Sequence, residues 1–412
     1  MSNSARLALT PLERRASVSL AGLFAARMLG LFLLLPVFAV AAQSLQGGLD
    51  PAKVGLALGM YGLTQAFMQI PFGMVSDRIG RRPVVLFGLI LFIVGSVICA
   101  QATSIEWVTI GRAIQGSGAI SAAVTAWLAD ATRPEVRTRA MAMVGASIGL
   151  SFALSLILSP LIVGWGGLSG LFWVIAALGV AALAVAAFVI PVVPITTDQT
   201  MQSAKARDVL TDSGLIRLNI GVFCLHLTQV ALFVVVPPLL LKLGGIHTQE
   251  LWKIYLPVIF VSFVFMVPVI FVTEKRRMHT QTLRWSVLGL VLVGVGFAMA
   301  GQSWWPLMVC LTLFFVFFNV LEALQPSLVS RAAPAQLKGL ALGVYNTTQA
   351  FGLFLGGAVG GWLAQRYGTT AVFWGVTGLC LIWLIATWGL QISMPQRSGM
   401  QGDATPHPNV VP

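Results

Sequence analysis

Twelve apolar runs, each long enough to cross a lipid bilayer, constrain this chain more than anything else in it. A helix needs roughly 20 apolar residues to span the hydrocarbon core. Turn and charge signals divide the 412 residues into runs at about 17–42, 53–75, 83–101, 106–131, 138–164, 169–191, 215–241, 250–272, 281–300, 305–331, 339–365 and 370–393. Hydrophobic residues make up 57% of the chain and charged ones 9%, against roughly 25% charged in soluble domains. An all-α membrane protein with twelve transmembrane helices is the reading, and the lipid bilayer is its first partner. The net charge of +12 does not imply nucleic acid, because a basic nucleic-acid binder spreads its charge along a polar face, and such faces are missing here.

The charge is topological instead. With the N-terminus in the cytoplasm, 19 of the 25 lysines and arginines fall on cytoplasmic segments, and only Lys53, Lys242, Lys253 and Arg366 fall outside. That bias orients the chain with both termini cytoplasmic, as in a bacterial-type inner membrane. The first apolar run is too long for the core of a secretory signal, so it is expected to stay as the first span. Cys99, Cys224, Cys310 and Cys380 all lie in apolar runs without metal-ligand spacing. They read as packing residues, with no metal or cofactor implied.

A polar stretch between Pro191 and Gly214 separates two sets of six spans. The expected organisation is a cytoplasmic segment 1–16, a six-helix bundle 17–191, a linker 192–214, a second six-helix bundle 215–393 and a disordered cytoplasmic tail 394–412. The halves are faintly alike. Ile70-Pro71 through Ser76-Asp77-Arg78 aligns with Val267-Pro268 through Thr273-Glu274-Lys275, and Gly22 through Arg27 with Gly221 through His226. Nearly equal offsets in chain order argue for duplication, with a site for a small-molecule solute between the halves near the midplane.

Between the second and third runs lies a short charged segment, Gly73-Met74-Val75-Ser76-Asp77-Arg78-Ile79-Gly80-Arg81-Arg82-Pro83. It reads as a cytoplasmic loop that gates a transporter, and its spacing resembles the loop signature of the major facilitator superfamily. In the fourth run, Arg112-Ala113-Ile114-Gln115-Gly116-Ser117-Gly118 resembles the RxxQGxG motif of drug:proton antiporters in that family, where the arginine is linked to proton transfer. The fifth-span antiporter motif is matched in part, with Ser159 and Val163 standing where glycines are expected. The segments around Arg27, Tyr61 and Glu322 resemble a subgroup whose larger members add a small soluble C-terminal domain, which is expected to be absent here. The resemblance covers about residues 17–393 and implies a monomeric transporter of two pseudo-symmetric six-helix bundles, with no enzymatic activity. It also implies that Asp77, Arg81 and Asp130 form a charge cluster latching the cytoplasmic side, carried on Gly73, Arg78, Gly80 and Arg82.

An ionisable group in hydrocarbon costs at least a few kcal/mol, which makes each one a candidate for function. Arg27 lies about ten residues, roughly 15 Å, into its span and is expected to face a central cavity. The alternative is a structural cation bonded to carbonyls at a helix break near Pro36. Glu322 is the carboxylate deepest within a span and the first choice as proton carrier, unless it forms a permanent ion pair with Arg27 or Arg112. His226 takes the repeat position of Arg27 and titrates in the useful range, or it serves only as an interhelical hydrogen-bonder. Arg112 and Asp130, 18 residues apart, share one face of an unbroken fourth helix. Asp77 is expected near the start of the eleventh span, drawn by its positive dipole end.

The cavity candidates are Gln65, Gln69, Gln115, Gln229, Asn319, Gln325, Asn346 and Gln349, with Phe32, Tyr61 and Phe351 as aromatic surface. Such a wall suits a moderately lipophilic neutral or cationic solute. The expected function is proton-coupled efflux by alternating access. Proton-coupled uptake of a small organic acid, or a receptor that transports nothing, are the alternatives. Neither a metalloprotease motif nor a phosphate loop nor a catalytic triad is found in the sequence.

Overall fold

The computed structural model describes residues 9–191, 206–300, 303–334 and 337–389. The expected tail 394–412 lies outside the described residues, as do most of the linker 192–214 and the first eight residues. The helices are α1 (Pro11–Phe32), α2 (Phe38–Ala41), α3 (Pro51–Ile79), α4 (Arg81–Ala100), α5 (Ile105–Ser117), α6 (Ser121–Asp130), α7 (Pro134–Ala184), α8 (Ala206–Leu210), α9 (Ser213–Gly244), α10 (Trp252–Arg276), α11 (His279–Met299), α12 (Trp304–Ala332), α13 (Lys338–Tyr367) and α14 (Thr369–Thr387).

Local chemistry starts several of these helices. The Thr10 hydroxyl accepts from the Glu13 amide at 3.2 Å, and the Glu13 carboxylate accepts from the Thr10 amide at 2.8 Å, a reciprocal cap ahead of Pro11. Asp50 caps α3 through the Ala52 amide at 2.9 Å, and Asp212 caps α9 through the Leu215 amide at 2.7 Å.

By length and apolarity, eight helices among the described residues qualify as membrane spans. One of them runs from Glu135 to Val189 and turns back at Gly167, whose φ of 63° only glycine adopts freely, so it passes twice. The remaining passes are α3 and α13, whose apolarity is diluted by glycines and amides, and the broken pair α5–α6. Together these make the twelve passes read from the sequence.

The fourth span corrects an expectation. It is not one straight helix but breaks over Gly118–Ile120, so Arg112 and Asp130 do not sit on a continuous face. Packing is tight at the break, where side chains at Gly116 and Gly118 would run into the carbonyls of Tyr61 and Gly88.

Within the first half α1 packs on α7, and α5 on α3 and α4; within the second, α9 packs on α13 and α14, and α12 on α10 and α11. The halves meet chiefly where α13 lies along α3. There backbone touches backbone: a Cβ at Gly55, Gly59, Gly357 or Gly361 would overlap main-chain atoms of the facing helix, and one at Gly62 would stand 2.5 Å from the Ala350 carbonyl. Small residues permit such approach where lipid leaves no hydrophobic drive between helices.

One end of the bundle carries Arg78, Arg81 and Arg82 and is called the basic end below. At the opposite end the halves are closed on each other. The Tyr255 hydroxyl donates to the Pro36 carbonyl at 3.5 Å, and Gln249 packs beside Gly164. A crevice of about 360 Å³ remains at that end, walled by Gln43, Pro51, Lys242 and Thr369 among others, and neither Glu322 nor His226 reaches it. Nearer the midplane, Phe152 of the first half meets Phe315 and Phe318 of the second, with ring centroids 6.1 and 5.8 Å apart.

Placing leucine at Gly59 forces this seam apart. Overpacking of this kind costs about 1–3 kcal/mol, so Gly59→Leu lowers the thermal unfolding midpoint in detergent relative to the same substitution at Gly166, which has open space around it. Equal midpoints for the two variants would show that the seam is loose.

Candidate functional site

Three groups of polar side chains stand out, and each is set by the helices that carry it. The first joins α9, α12 and α13. Pro326 has no amide to offer the Glu322 carbonyl one turn before it, which loosens α12 at that point. The Glu322 side chain is about one-third exposed (32%), yet its Oε2 is buried without a protein hydrogen bond and lies 3.5 Å from His226 Nε2. His226 is buried, its Nδ1 donates to the Val222 carbonyl at 3.0 Å, and its Nε2 is 2.6 Å from the Gln349 amide nitrogen. Tyr345, one turn before Gln349, is buried with an unpartnered hydroxyl near enough to Glu322 to feel its charge. The arrangement offers a carboxylate and an imidazole that can share one proton.

The second group lies inside the first half. Arg27 donates to the Ser121 hydroxyl at 3.0 Å and to the Gly118 carbonyl at 3.2 Å. Arg112 donates to Gln115 at 3.0 Å and to the Leu58 carbonyl at 3.3 Å, and Gln115 passes the chain on to Ser96 at 2.7 Å. Tyr61 lies between them, 5.9 Å from the Arg27 guanidinium and 4.7 Å from that of Arg112. Both arginines are almost fully buried, at 1% and 2% exposed.

These placements change several expectations. Arg27 does not open onto a cavity; it solvates a helix break, and the break belongs to the fourth span at Gly118, not to the first at Pro36. The ionisable neighbour of Glu322 is His226, and the hydrogen bonds of Arg27 and Arg112 go elsewhere. Tyr61, Gln65, Gln69, Gln115, Gln229, Asn319 and Gln325 are all buried between helices. Asn319 donates to Ser262 at 2.8 Å, while Gln69 and Gln325 have no protein partner for either amide atom. Phe32, Asn346, Gln349 and Phe351 are half-buried; Phe32 pairs with Phe152 and Phe351 with Phe67. Helical spacing names the face a residue occupies but not which backbone will close over it.

The third group is at the basic end. Arg81 donates to Asp130 at 3.0 Å, to Ser76 at 2.8 Å, and to Asp77 one turn earlier. The Arg81 and Asp130 side chains are only 11% and 9% exposed, whereas Asp77 is 63% exposed. The bond of Asp77 runs to Arg81. Gly80, with φ of 104°, makes the turn from α3 into α4. Ahead of the first span, Glu13 binds the Arg133 side chain at 2.7 and 3.0 Å.

The second half repeats this cluster with different charges. Arg331 donates to both oxygens of Glu274, at 2.7 and 2.9 Å, and His279 Nε2 lies 3.2 Å from the same carboxylate. Sequence reading aligned Glu274 with Asp77 but missed Arg331 and His279, which stand near the repeat positions of Asp130 and Arg81. It also missed Ser76 and Tyr345. Tyr345 was within reach, since it lies four residues before Gln349 on one helical face.

A fold of two six-helix bundles with ionisable groups buried near the midplane defines a membrane transporter, not an enzyme. The sequence pattern of the Major Facilitator Superfamily matches residues 20–357 and 282–406, and the chain belongs to that superfamily. It is 42% identical over 379 residues to the inner membrane transport protein YajR of Escherichia coli (strain K12), covering 91% of this chain and 83% of that protein. It is 24% identical over 347 residues to the multidrug resistance protein MdtH of Proteus mirabilis (strain HI4320), covering 82% and 84%. The crystal structure of the D-xylose-proton symporter superposes with a TM-score of 0.70 at 16% identity, covering 92% of this chain and 97% of that one.

The geometry at the basic end separates two aspartates. Removing one partner of a buried ion pair costs about 3–5 kcal/mol, while an exposed pair is worth at most about 1 kcal/mol. Asp130→Asn therefore lowers the thermal unfolding midpoint clearly more than Asp77→Asn does. The reverse order would mean that Arg81 is held by its exposed neighbour.

Proposed function

We propose that this protein is a proton-coupled secondary transporter that exports small lipophilic or drug-like solutes by alternating access, with its basic end in the cytoplasm of a bacterial inner membrane. The coupling ion is the proton, shared by Glu322 and His226. One observation carries this reading: a buried carboxylate oxygen with no protein hydrogen bond faces an imidazole at 3.5 Å, deep in an apolar run and on a side chain that is about one-third exposed. A carboxylate in that position gains a proton when water is excluded and releases it when the cavity opens. Arg27 and Arg112 serve as fixed cations that solvate the broken fourth span. Asp77, Arg81 and Asp130, on the turn made by Gly73, Arg78, Gly80 and Arg82, form the latch of the cytoplasmic side.

Similarity to the multidrug resistance protein MdtH of Proteus mirabilis supports export. Uptake of a small organic acid would need Arg27 or Arg112 as an anion anchor. Their guanidinium groups are turned to carbonyls and hydroxyls of the first half, which favours export over that reading.

A growth screen of expressing cells against toxic compounds names candidate solutes, and vesicles with an imposed pH gradient test the coupling. Export moves solute against the proton flux and uptake moves it with that flux. Glu322→Gln is expected to abolish gradient-driven flux while solute counterflow, which needs no net proton movement, continues. Gradient-driven flux of wild-type size in Glu322→Gln would remove the proton role from this residue. Solute binding with no flux under any gradient would make the protein a receptor.

A further inference from the structure

The hydrogen bond between His226 and Gln349 has a polarity that depends on charge. His226 Nδ1 faces the Val222 carbonyl at 3.0 Å, and a carbonyl can only accept, so Nδ1 keeps its proton in every state. The proton that comes and goes is then on Nε2. In the neutral ring Nε2 is an acceptor, matched to the Gln349 amide nitrogen 2.6 Å away. In the charged ring Nε2 is a donor, and two donors would face each other at that distance. Either the Gln349 amide turns to present its oxygen or α13 withdraws. The Glu322 carboxylate, 3.5 Å from Nε2 on the third helix, is the counter-charge in that state.

Gln349 sits on a helix with little freedom to withdraw. On one side of α13, a Cβ at Gly352, Gly356 or Gly360 would stand 2.6, 2.5 or 2.8 Å from the backbone of Phe223, Leu227 or Ala231 in α9. Its other side is Ala350, Gly357 and Gly361, pressed on α3 of the opposite half. A rotation or shift of α13 therefore disturbs the contact between the halves.

We infer that Gln349 is the positioning residue that reads the charge of His226 and transmits it to the α3–α13 seam, so that proton binding in one half loosens or tightens the junction between both. The inference rests on the proton site proposed above. Tyr345, whose hydroxyl is buried near Glu322, is the other titratable group at this site, and Arg27 and Arg112 are the buried cations of the facing half.

Two spin labels on exposed positions, Leu12 in the first half and Phe271 in the second, report the distance between the halves in lipid nanodiscs across a pH series. The native cysteines are replaced by alanine, and the ring nitrogen NMR signals of His226 report its own titration. The wild-type distance distribution is expected to change with the charge of His226. In Gln349→Leu, His226 still titrates but the distance no longer follows it, or follows with a midpoint moved by about one pH unit or more, a tenfold change in proton affinity. Gln349→Glu, which when ionised can only accept, holds the low-pH distribution to higher pH. A Gln349→Leu protein whose distance tracks pH as the wild type does overturns the inference and leaves the proton site standing. A wild type whose His226 does not titrate, or a His226→Gln variant with an unchanged pH response, overturns the proton site and the inference with it.

Discussion

Backbone contact along α13 is the constraint on which the rest of this structure depends. A helix pressed against two others through glycine and alanine can sit in few positions, because any rotation brings a side chain against a carbonyl. On one side α13 meets α9 of its own half, and on the other it meets α3 of the opposite half. The same geometry that seals the halves therefore fixes the distance from Gln349 to His226. In lipid, where apolar side chains gain little by meeting one another, such close approach supplies the packing energy. It also makes the junction stepwise, since a seam of main-chain contacts is either engaged or parted.

The buried charges follow a second rule, that a charge in hydrocarbon needs polar partners before it needs an opposite charge. Arg27 and Arg112 find theirs in carbonyls, hydroxyls and an aromatic face, all within the first half. The Gly118 carbonyl lies in the break and accepts both from Arg27, at 3.2 Å, and from the Ile120 amide, at 2.9 Å. Glu322 is treated differently. It lies beside a histidine, its Oε2 has no protein hydrogen bond, and its side chain is about one-third exposed. The first half thus buries two arginines and the second a carboxylate beside an imidazole, although the two are built on one repeated plan. The clusters at the basic end show the same division, with Arg81 on one side and His279 at the matching place on the other.

Much of this was legible in the sequence, for reasons that differ by level. Twelve passes follow from apolar length, whereas the caps at Thr10, Asp50 and Asp212, although short-range chemistry, went unread in the sequence. The Arg81–Asp130 contact was foreseen because the loop spacing resembles a family whose latch is built that way. Glu322 and His226 stood out because charges are scarce in apolar runs. What stayed hidden was the partner of each buried group. Apolar length read the run from Ile105 to Asp130 as one span and gave no sign of its break at Gly118, where Gly88 and Tyr61 from elsewhere in the chain come close. Glycine spacing on α3 and α13 is visible in the sequence, but which helices it brings together is a tertiary fact.

The same argument explains why the amide-rich wall expected from helical spacing is buried in this structure. An amide on a helix face can bond across to a neighbour or wait for a solute, and in a closed state both look alike. Gln115 and Asn319 are committed, each tied to a serine on another helix. Gln69 and Gln325 are enclosed with no protein partner for either amide atom, and a buried amide costs about 1–3 kcal/mol unless something bonds it. These two are therefore the amides of the set that no neighbouring helix holds.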